Sequence, residues 1–102
     1  MKPHHDLSQI QSKFENVNDL EITGTAEKNA RDLGYGLQDI VEAVQDLESG
    51  DFVSSSPAHS PPVPGVWHDT YNMRWDGYHL YIKSAGQTIV DIVLASFKEK
   101  ER

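Results

Sequence analysis

The chain has 102 residues and a formal net charge of −7, from nine basic and sixteen acidic residues, so its length suits one ordinary domain. It contains no cysteine, which excludes a disulfide scaffold, a cysteine-ligated metal site and a thiol nucleophile, and fits a reducing cytoplasm. No apolar run approaches the ~20 residues of a membrane span and no signal-peptide core follows the first residues, so we expect a protein neither exported by that route nor anchored.

The acidic charge is concentrated in the first half of the chain. Residues 1–50 carry four Lys or Arg against ten Asp or Glu, whereas residues 51–102 carry five against six. A net negative charge argues against broad nucleic-acid binding. The uneven distribution nevertheless leaves room for a local cationic site in the second half.

The first half also has the periodicity of helices. Apolar residues follow Asp6 at intervals of three and four, which predicts a first helix with Asp6 as its N-cap. A second helix is expected to begin at the cap Thr25 and to stop at Gly34. The clearest apolar stripe predicts a third helix that ends near residue 49, while residues 20–23 are too few to establish a strand.

The composition changes abruptly at residue 53. Residues 53–65 include four serines and four prolines, which predicts a long loop because proline disrupts a helix interior and a central strand. Alternating and β-branched residues then predict strands over 66–71, 78–83 and 89–97, with Asp76-Gly77 as the turn of a hairpin.

These elements predict an α+β fold in a single domain over residues 1–102. The helical part covers about 6–49 and packs on an antiparallel sheet over 66–98.

Several strings of residues, in this order and at these intervals, are shared with a known family. PHHDLSQIQ, ARDLGYGLQDIVEAVQDLESGDF, VWHDTY, LYIKS and SFKEK resemble the MqsR (motility quorum-sensing regulator) family of bacterial toxins. The resemblance implies a RelE-like fold and a cytoplasmic enzyme that cleaves mRNA without a metal or another cofactor. It also implies a cognate antitoxin, with DNA reached only through that antitoxin, and leaves dependence on the ribosome open.

The resemblance also indicates site residues. In the family pattern a Lys follows the D-F element, a Gln follows the Trp of the middle motif, a Tyr lies in L-Y-x-K and a Lys in S-F-K. This chain retains the last two as Tyr81 and Lys98. Ser54 stands near the position of the first Lys, and His68 replaces the Gln.

Metal-free RNA cleavage needs a base for the 2′-OH proton, an acid for the leaving 5′-oxygen, and cations or donors for the charged transition state. Histidine titrates near neutral pH and suits either proton role, which favours His68. Strand alternation places Tyr81 and Lys83 on one face, as a phosphate site or an ordinary solvent face would have them. We expect His68, Tyr81 and Lys98 to be catalytic, Lys98 on the resemblance alone.

Four further residues are expected to bind substrate. Arg74 could hold a phosphate and Trp75 could stack a base, although packing of the Arg stem on the indole is the alternative. Lys83 and Ser54 complete the expected substrate-binding set.

The remaining histidines carry weaker signals. His59 and His79 are proton carriers by residue type only. His4 and His5 are adjacent, so their side chains point apart, and no third ligand follows at helical spacing. We therefore expect no metal site.

Two other functions compete with an RNA-cleaving toxin. One is a catalytically weakened family member that binds an antitoxin-like repressor, which the Ser54 replacement favours. The other is an acidic inhibitor that mimics nucleic acid, which the Trp-containing β half disfavours. Convergence of His68, Tyr81, Lys98 and Arg74 in one cleft would favour the enzyme.

Overall fold

The computed structural model describes residues 2–59 and 62–100, with the side chains of 58, 59 and 62–64 left aside. Within these residues, three α-helices and two short 3₁₀ turns precede four strands, which confirms the α+β prediction. The helices are α1 (Leu7–Lys13), α2 (Gly24–Asp32) and α3 (Leu37–Asp46), and the strands are β1 (Phe52–His59), β2 (Pro62–Trp75), β3 (Tyr78–Gly86) and β4 (Val93–Glu99).

The strands form one antiparallel sheet in the order β1-β2-β3-β4. Asp76 and Gly77 connect β2 to β3 and have positive φ angles of 52° and 84°. Two positive φ angles in a two-residue loop match the twist of the flanking strands, so this hairpin turn is confirmed.

The prediction of a loop over 53–65 was wrong for the described residues. β1 extends to His59 and pairs with β2, with Ser54 opposite Thr70 and Pro57 opposite Trp67. β1 lies at the edge of the sheet, where one side of the backbone makes no ladder and proline is tolerated. Two irregularities in the β1 register further adapt this serine- and proline-rich segment to pairing.

The helix boundaries differ in detail from the predictions. Asp6 is the N-cap residue of α1, but its side chain makes no capping hydrogen bond. α2 begins two residues earlier than expected, because the Oγ1 atom of Thr23 rather than Thr25 accepts the N–H of Ala26 at 3.2 Å. Residues 20–23 make a single parallel bridge, between Ile22 and Leu94 on the outer side of β4.

The helices cover one face of the sheet. Leu80 and Ile82 of β3 and Phe97 of β4 are almost fully buried there, together with Phe14 and Ile40 from the helices. The intervening residues of β3, among them Tyr81, are only half-buried. The sheet therefore has a helix-covered face and an open face, which carry alternate residues of each strand. No helix among the described residues has the length and apolar composition that crossing a membrane requires.

Candidate active site on the open face of the sheet

The strand register groups the open-face side chains into rows that cross the sheet. One row joins Asn72 of β2, Tyr81 of β3 and Lys98 of β4. The row on one side of it joins Arg74 to His79, and the row on the other side joins Ser54, Thr70, Lys83 and Ser96. A further row carries Ser56, His68, Ala85 and Val93.

Tyr81 and Lys98 lie opposite each other in β3 and β4. The Nζ atom of Lys98 lies 5.5 Å from the centre of the Tyr81 ring, a cation–π geometry. Both side chains are half-buried. A phenol donor and an ammonium group thus share a semi-enclosed position, where a phosphate oxygen could meet both.

Asn72 completes this row and was not singled out by sequence reasoning. Its Oδ1 atom is buried and has no hydrogen-bond partner among the described residues, although buried polar atoms are normally paired. An acceptor left open beside Tyr81 suits a donor on a ligand. The two-residue turn contained the signal, because counting outward from it pairs Asn72 with Tyr81.

The other predicted open-face residues lie at different distances from the Tyr81–Lys98 pair. Lys83 is two residues from Tyr81 on the same strand, about 7 Å away, and Ser54 ends the same row as Lys83 on the edge strand. His68 pairs with Ala85, four residues beyond Tyr81, which is roughly 13 Å along the strand. The register therefore groups Lys83 with the pair and sets His68 apart from it.

Arg74 is exposed and pairs with His79, on the opposite side of Tyr81 from Lys83. The backbone carbonyl of His79 accepts the N–H of Lys100 at 2.7 Å, which continues the ladder past the end of β4. The position of His79 beside Tyr81 is thus fixed from both neighbouring strands. The side chain of His59 lies outside the described part of the chain.

Trp75 leaves β2 on the helix-covered side, and its expected role in binding RNA with Arg74 stays a prediction. Its Nε1 atom donates to Asp46 Oδ2 at 2.8 Å, and its ring packs edge-on at 5.4 Å from the ring of Tyr35. Adjacent residues of a strand point to opposite faces, but Arg74 and Trp75 both line a pocket with Asp46, Glu48 and Asp51.

The open face carries no acidic strand residue within the described segments. Asp69 of β2 pairs with Ser84 and Glu99 of β4 pairs with Leu80, both on the helix-covered side. The cationic residues Arg74, Lys83 and Lys98 therefore share their face with neutral side chains and two histidines. A chain of net charge −7 still presents one surface that favours phosphate.

The motifs PHHD and VWHDTY meet on the helix-covered side. The fully buried Asp69 accepts the backbone N–H groups of His4 and His5, at 3.0 and 2.9 Å. The His5 ring lies 3.1 Å from the carbonyl oxygen of Gly86, and the His4 ring stacks on Trp67 at 5.1 Å. These histidines therefore anchor the N-terminal segment to the sheet.

Two buried tyrosines on the helix-covered side have raised pKa values. Burial, followed by a hydrogen bond to Asp76 at 3.1 Å, raises the pKa of Tyr35 to about 12. Burial, followed by the nearby charge of Asp69, raises the pKa of Tyr71 to about 12. Both phenols stay protonated at neutral pH, and their rings are buried in the hydrophobic core. No three His, Asp or Glu residues of the described segments cluster as metal ligands.

Comparison with known proteins gives two concordant matches. The family model described as "Motility quorum-sensing regulator, toxin of MqsA" matches residues 2–99. The chain is also 32% identical over 98 residues to the "mRNA interferase toxin MqsR" of Escherichia coli (strain K12), covering 96% of this chain and 95% of that protein. The resemblance noted in the sequence thus extends over nearly its whole length.

Proposed function

Because the chain belongs to the family of motility quorum-sensing regulator toxins, we propose that it is the toxin of a toxin–antitoxin pair and acts as an endoribonuclease. Its substrate is mRNA, cut at short sequence motifs so that translation and growth stop. The similar protein of E. coli is named an mRNA interferase toxin, which supports this activity.

The observation that carries the proposal is the combination of an acid-free open face with the Tyr81–Lys98 contact at 5.5 Å. Phosphate backbones bind where cations are not cancelled by nearby carboxylates. The acidic balance of the whole chain argued against an RNA substrate. The described strand residues of this face include no acid beside Lys83 and Lys98, which supports the proposal, whereas Arg74 shares a pocket with Asp46, Glu48 and Asp51.

In the proposed reaction the 2′-oxygen forms a bond to phosphorus while the bond from phosphorus to the 5′-oxygen breaks. One proton leaves the 2′-OH and one reaches the 5′-oxygen, so the products are a 2′,3′-cyclic phosphate and a 5′-OH end. Tyr81 donates a proton, and Lys98 stabilises the charge that develops on the phosphoryl oxygens. This chemistry needs no metal ion.

The other predicted residues line the RNA path. Arg74 and Lys83 flank the central row and bind the phosphates on either side of the scissile one, and Ser54 offers a hydroxyl at the edge strand. His68 lies farther along the path, where sequence reasoning gave it a proton-transfer role. A His68→Gln variant that still arrests growth would reduce its role to that of a polar contact.

A cognate antitoxin is the protein partner that the family name supports. We propose that the enzyme works in the cytoplasm and reaches DNA only through that antitoxin, with or without the ribosome as the place of cleavage. The alternative of a catalytically weakened binding module is not favoured by the similarity to a named interferase. The lack of acidic strand residues on the described part of the open face equally disfavours a nucleic-acid mimic.

The test is induced expression in a bacterial host, with growth and the 5′ ends of mRNA as readouts. Wild type should arrest growth and create sequence-biased 5′ ends, whereas the Tyr81→Phe, Lys98→Ala double variant should do neither while remaining folded. Lys28→Ala is the matched control, because Lys28 is exposed and paired with Asp32 on α2, away from the open face. Normal growth with a soluble, folded wild type would overturn the proposal.

A further inference from the structure

The proposed reaction needs a group that accepts the 2′-OH proton, and the composition of the open face restricts which residue can do so. The face has no carboxylate among its described strand residues. Arginine and lysine are ordinarily protonated at neutral pH, and so is a phenol. Imidazole is the remaining side chain that accepts a proton at working pH, and among the open-face side chains that the structure describes the imidazoles are those of His68 and His79.

The register separates these two histidines. His79 lies two residues from Tyr81 on β3, about 7 Å along the strand. That spacing matches two groups that each make a hydrogen bond of ~2.8 Å to opposite sides of one phosphodiester. His68 is on β2, opposite a residue four positions beyond Tyr81. It can meet the RNA, but not the phosphate held between Tyr81 and Lys98.

We propose that His79 is the general base of the cleavage reaction, taking the 2′-OH proton while Tyr81 protonates the departing 5′-oxygen. This inference rests on the proposed ribonuclease function and adds a catalytic residue to it. Arg74, directly across from His79 on β2, lies where it can hold the phosphate next to the scissile one and orient the ribose between them toward the imidazole.

The side chains around His79 are cationic or neutral. The groups that face it are Arg74 on β2, Tyr81 on its own strand, and Lys98 and Lys100 on the β4 side. None of these four groups is acidic. Asp76, in the adjoining turn, instead accepts a hydrogen bond from Tyr35 of the helical layer.

The experiment measures the rate of RNA cleavage against pH for wild type, His79→Ala, His79→Gln and His68→Gln. The substrate is a mixed-sequence transcript, followed at the sites that wild type cuts. His79→Ala should lower the rate by about 10²–10⁴-fold at neutral pH and abolish the rise in rate through the pH range where imidazole titrates. Free imidazole added to His79→Ala should restore cleavage, which a merely structural role would not predict.

Two further variants make the result specific. His68→Gln should retain the pH dependence, because its imidazole lies outside the reacting pair. His4→Gln, which removes an imidazole stacked on Trp67 away from the open face, should leave rate and pH profile unchanged. If His79→Ala does not fold, as judged by its melting temperature, His79→Gln decides the matter, since it keeps a polar side chain of similar length.

The outcomes distinguish this inference from the function on which it rests. A folded wild type that cleaves no transcript overturns both. Cleavage by wild type with an unchanged rate and pH profile in His79→Gln overturns the role of His79 and leaves the ribonuclease intact. Loss of the pH dependence in His68→Gln would transfer the role to His68 and overturn the inference equally.

Discussion

The two faces of the sheet are made by alternate residues of the same strands, yet they obey different rules. The helix-covered face is mainly apolar; Asp69 there is paired with the backbone of His4 and His5, whereas the hydroxyls of Ser55, Tyr71 and Ser84 have no partner among the described residues. The open face places cations, a phenol and imidazoles together and leaves the Oδ1 atom of Asn72 without a partner among the described residues. Burial of apolar side chains on the helix-covered face stabilises the fold, whereas the exposed cations of the open face suit a ligand.

Phe97 and Lys98 give the sharpest test of this contrast, because they are adjacent in β4 and face opposite ways. Phe97 is fully buried, so Phe97→Ala should lower the free energy of unfolding by about 3–5 kcal/mol, a large share of the ~5–15 kcal/mol typical of a domain. Lys98→Ala should change it by less than about 0.5 kcal/mol while RNA cleavage is lost. Urea unfolding and a cleavage assay measure both, and equal destabilisation by the two variants would contradict the division.

Asp69 tests whether the buried polar anchor contributes to stability. Asp69→Ala leaves the N–H groups of His4 and His5 without their acceptor, which should cost about 2–4 kcal/mol. Asp69→Asn keeps one carbonyl oxygen and should fall between this variant and wild type. Hydrogen exchange at these two amides is the direct readout. Unchanged protection in Asp69→Ala would show that the anchor is dispensable.

The raised pKa values of Tyr35 and Tyr71, both about 12, predict how stability responds to alkali. An unfolded tyrosine releases its proton near pH 10, whereas these two retain theirs until about pH 12 in the folded protein. Stability is therefore complete below pH ~10 and is lost as the pH rises toward 12. Tyr71→Phe should make that loss shallower in unfolding measurements at several pH values.

Tyr35→Phe provides the matched comparison at neutral pH. The Tyr71 hydroxyl has no partner among the described residues, so its removal should cost little at pH 7. The Tyr35 hydroxyl donates to Asp76, and its removal should cost about 1 kcal/mol. If the stability of both variants falls with rising pH as steeply as that of wild type, these two phenols are not the cause of the alkaline loss of stability.

Trp75 provides a further test of the contrast, with a modest expected effect on stability. Trp75→Phe removes the hydrogen bond to Asp46 and should cost about 0.5–1.5 kcal/mol, with RNA cleavage within about twofold of wild type. Lower cleavage at unchanged stability would mean that the indole reaches the RNA and that the two faces are less separate than described.

The sequence predicts best those parts of the fold that are set by residues close to one another along the chain. The Asp76-Gly77 turn was predictable because two positive φ angles are favoured by this dipeptide. The pairing of β1 was not, since proline signals a break locally and only the distant β2 shows that the segment lies at a sheet edge.

The candidate site also has a part that the sequence predicts and a part that it does not. Alternation placed Tyr81 and Lys83 together from the sequence, and the same rule, applied one strand earlier, would have pointed Trp75 and Arg74 to opposite faces. The relation of His68 and His79 to Tyr81 depends on register, which pattern alone leaves open until a turn is chosen. Choosing the two-residue turn and counting outward gives the observed pairs.

The anchoring of residues 4 and 5 determines which substitutions that segment can accept. Asp69 binds main-chain N–H groups, which every amino acid supplies except proline. Replacing the histidines by other residues would remove the ring contacts with Trp67 and Gly86 but keep both backbone hydrogen bonds to the Asp69 carboxylate. A second proline immediately after Pro3 would instead remove one of them, so proline is the residue that the backbone anchor itself excludes at these positions.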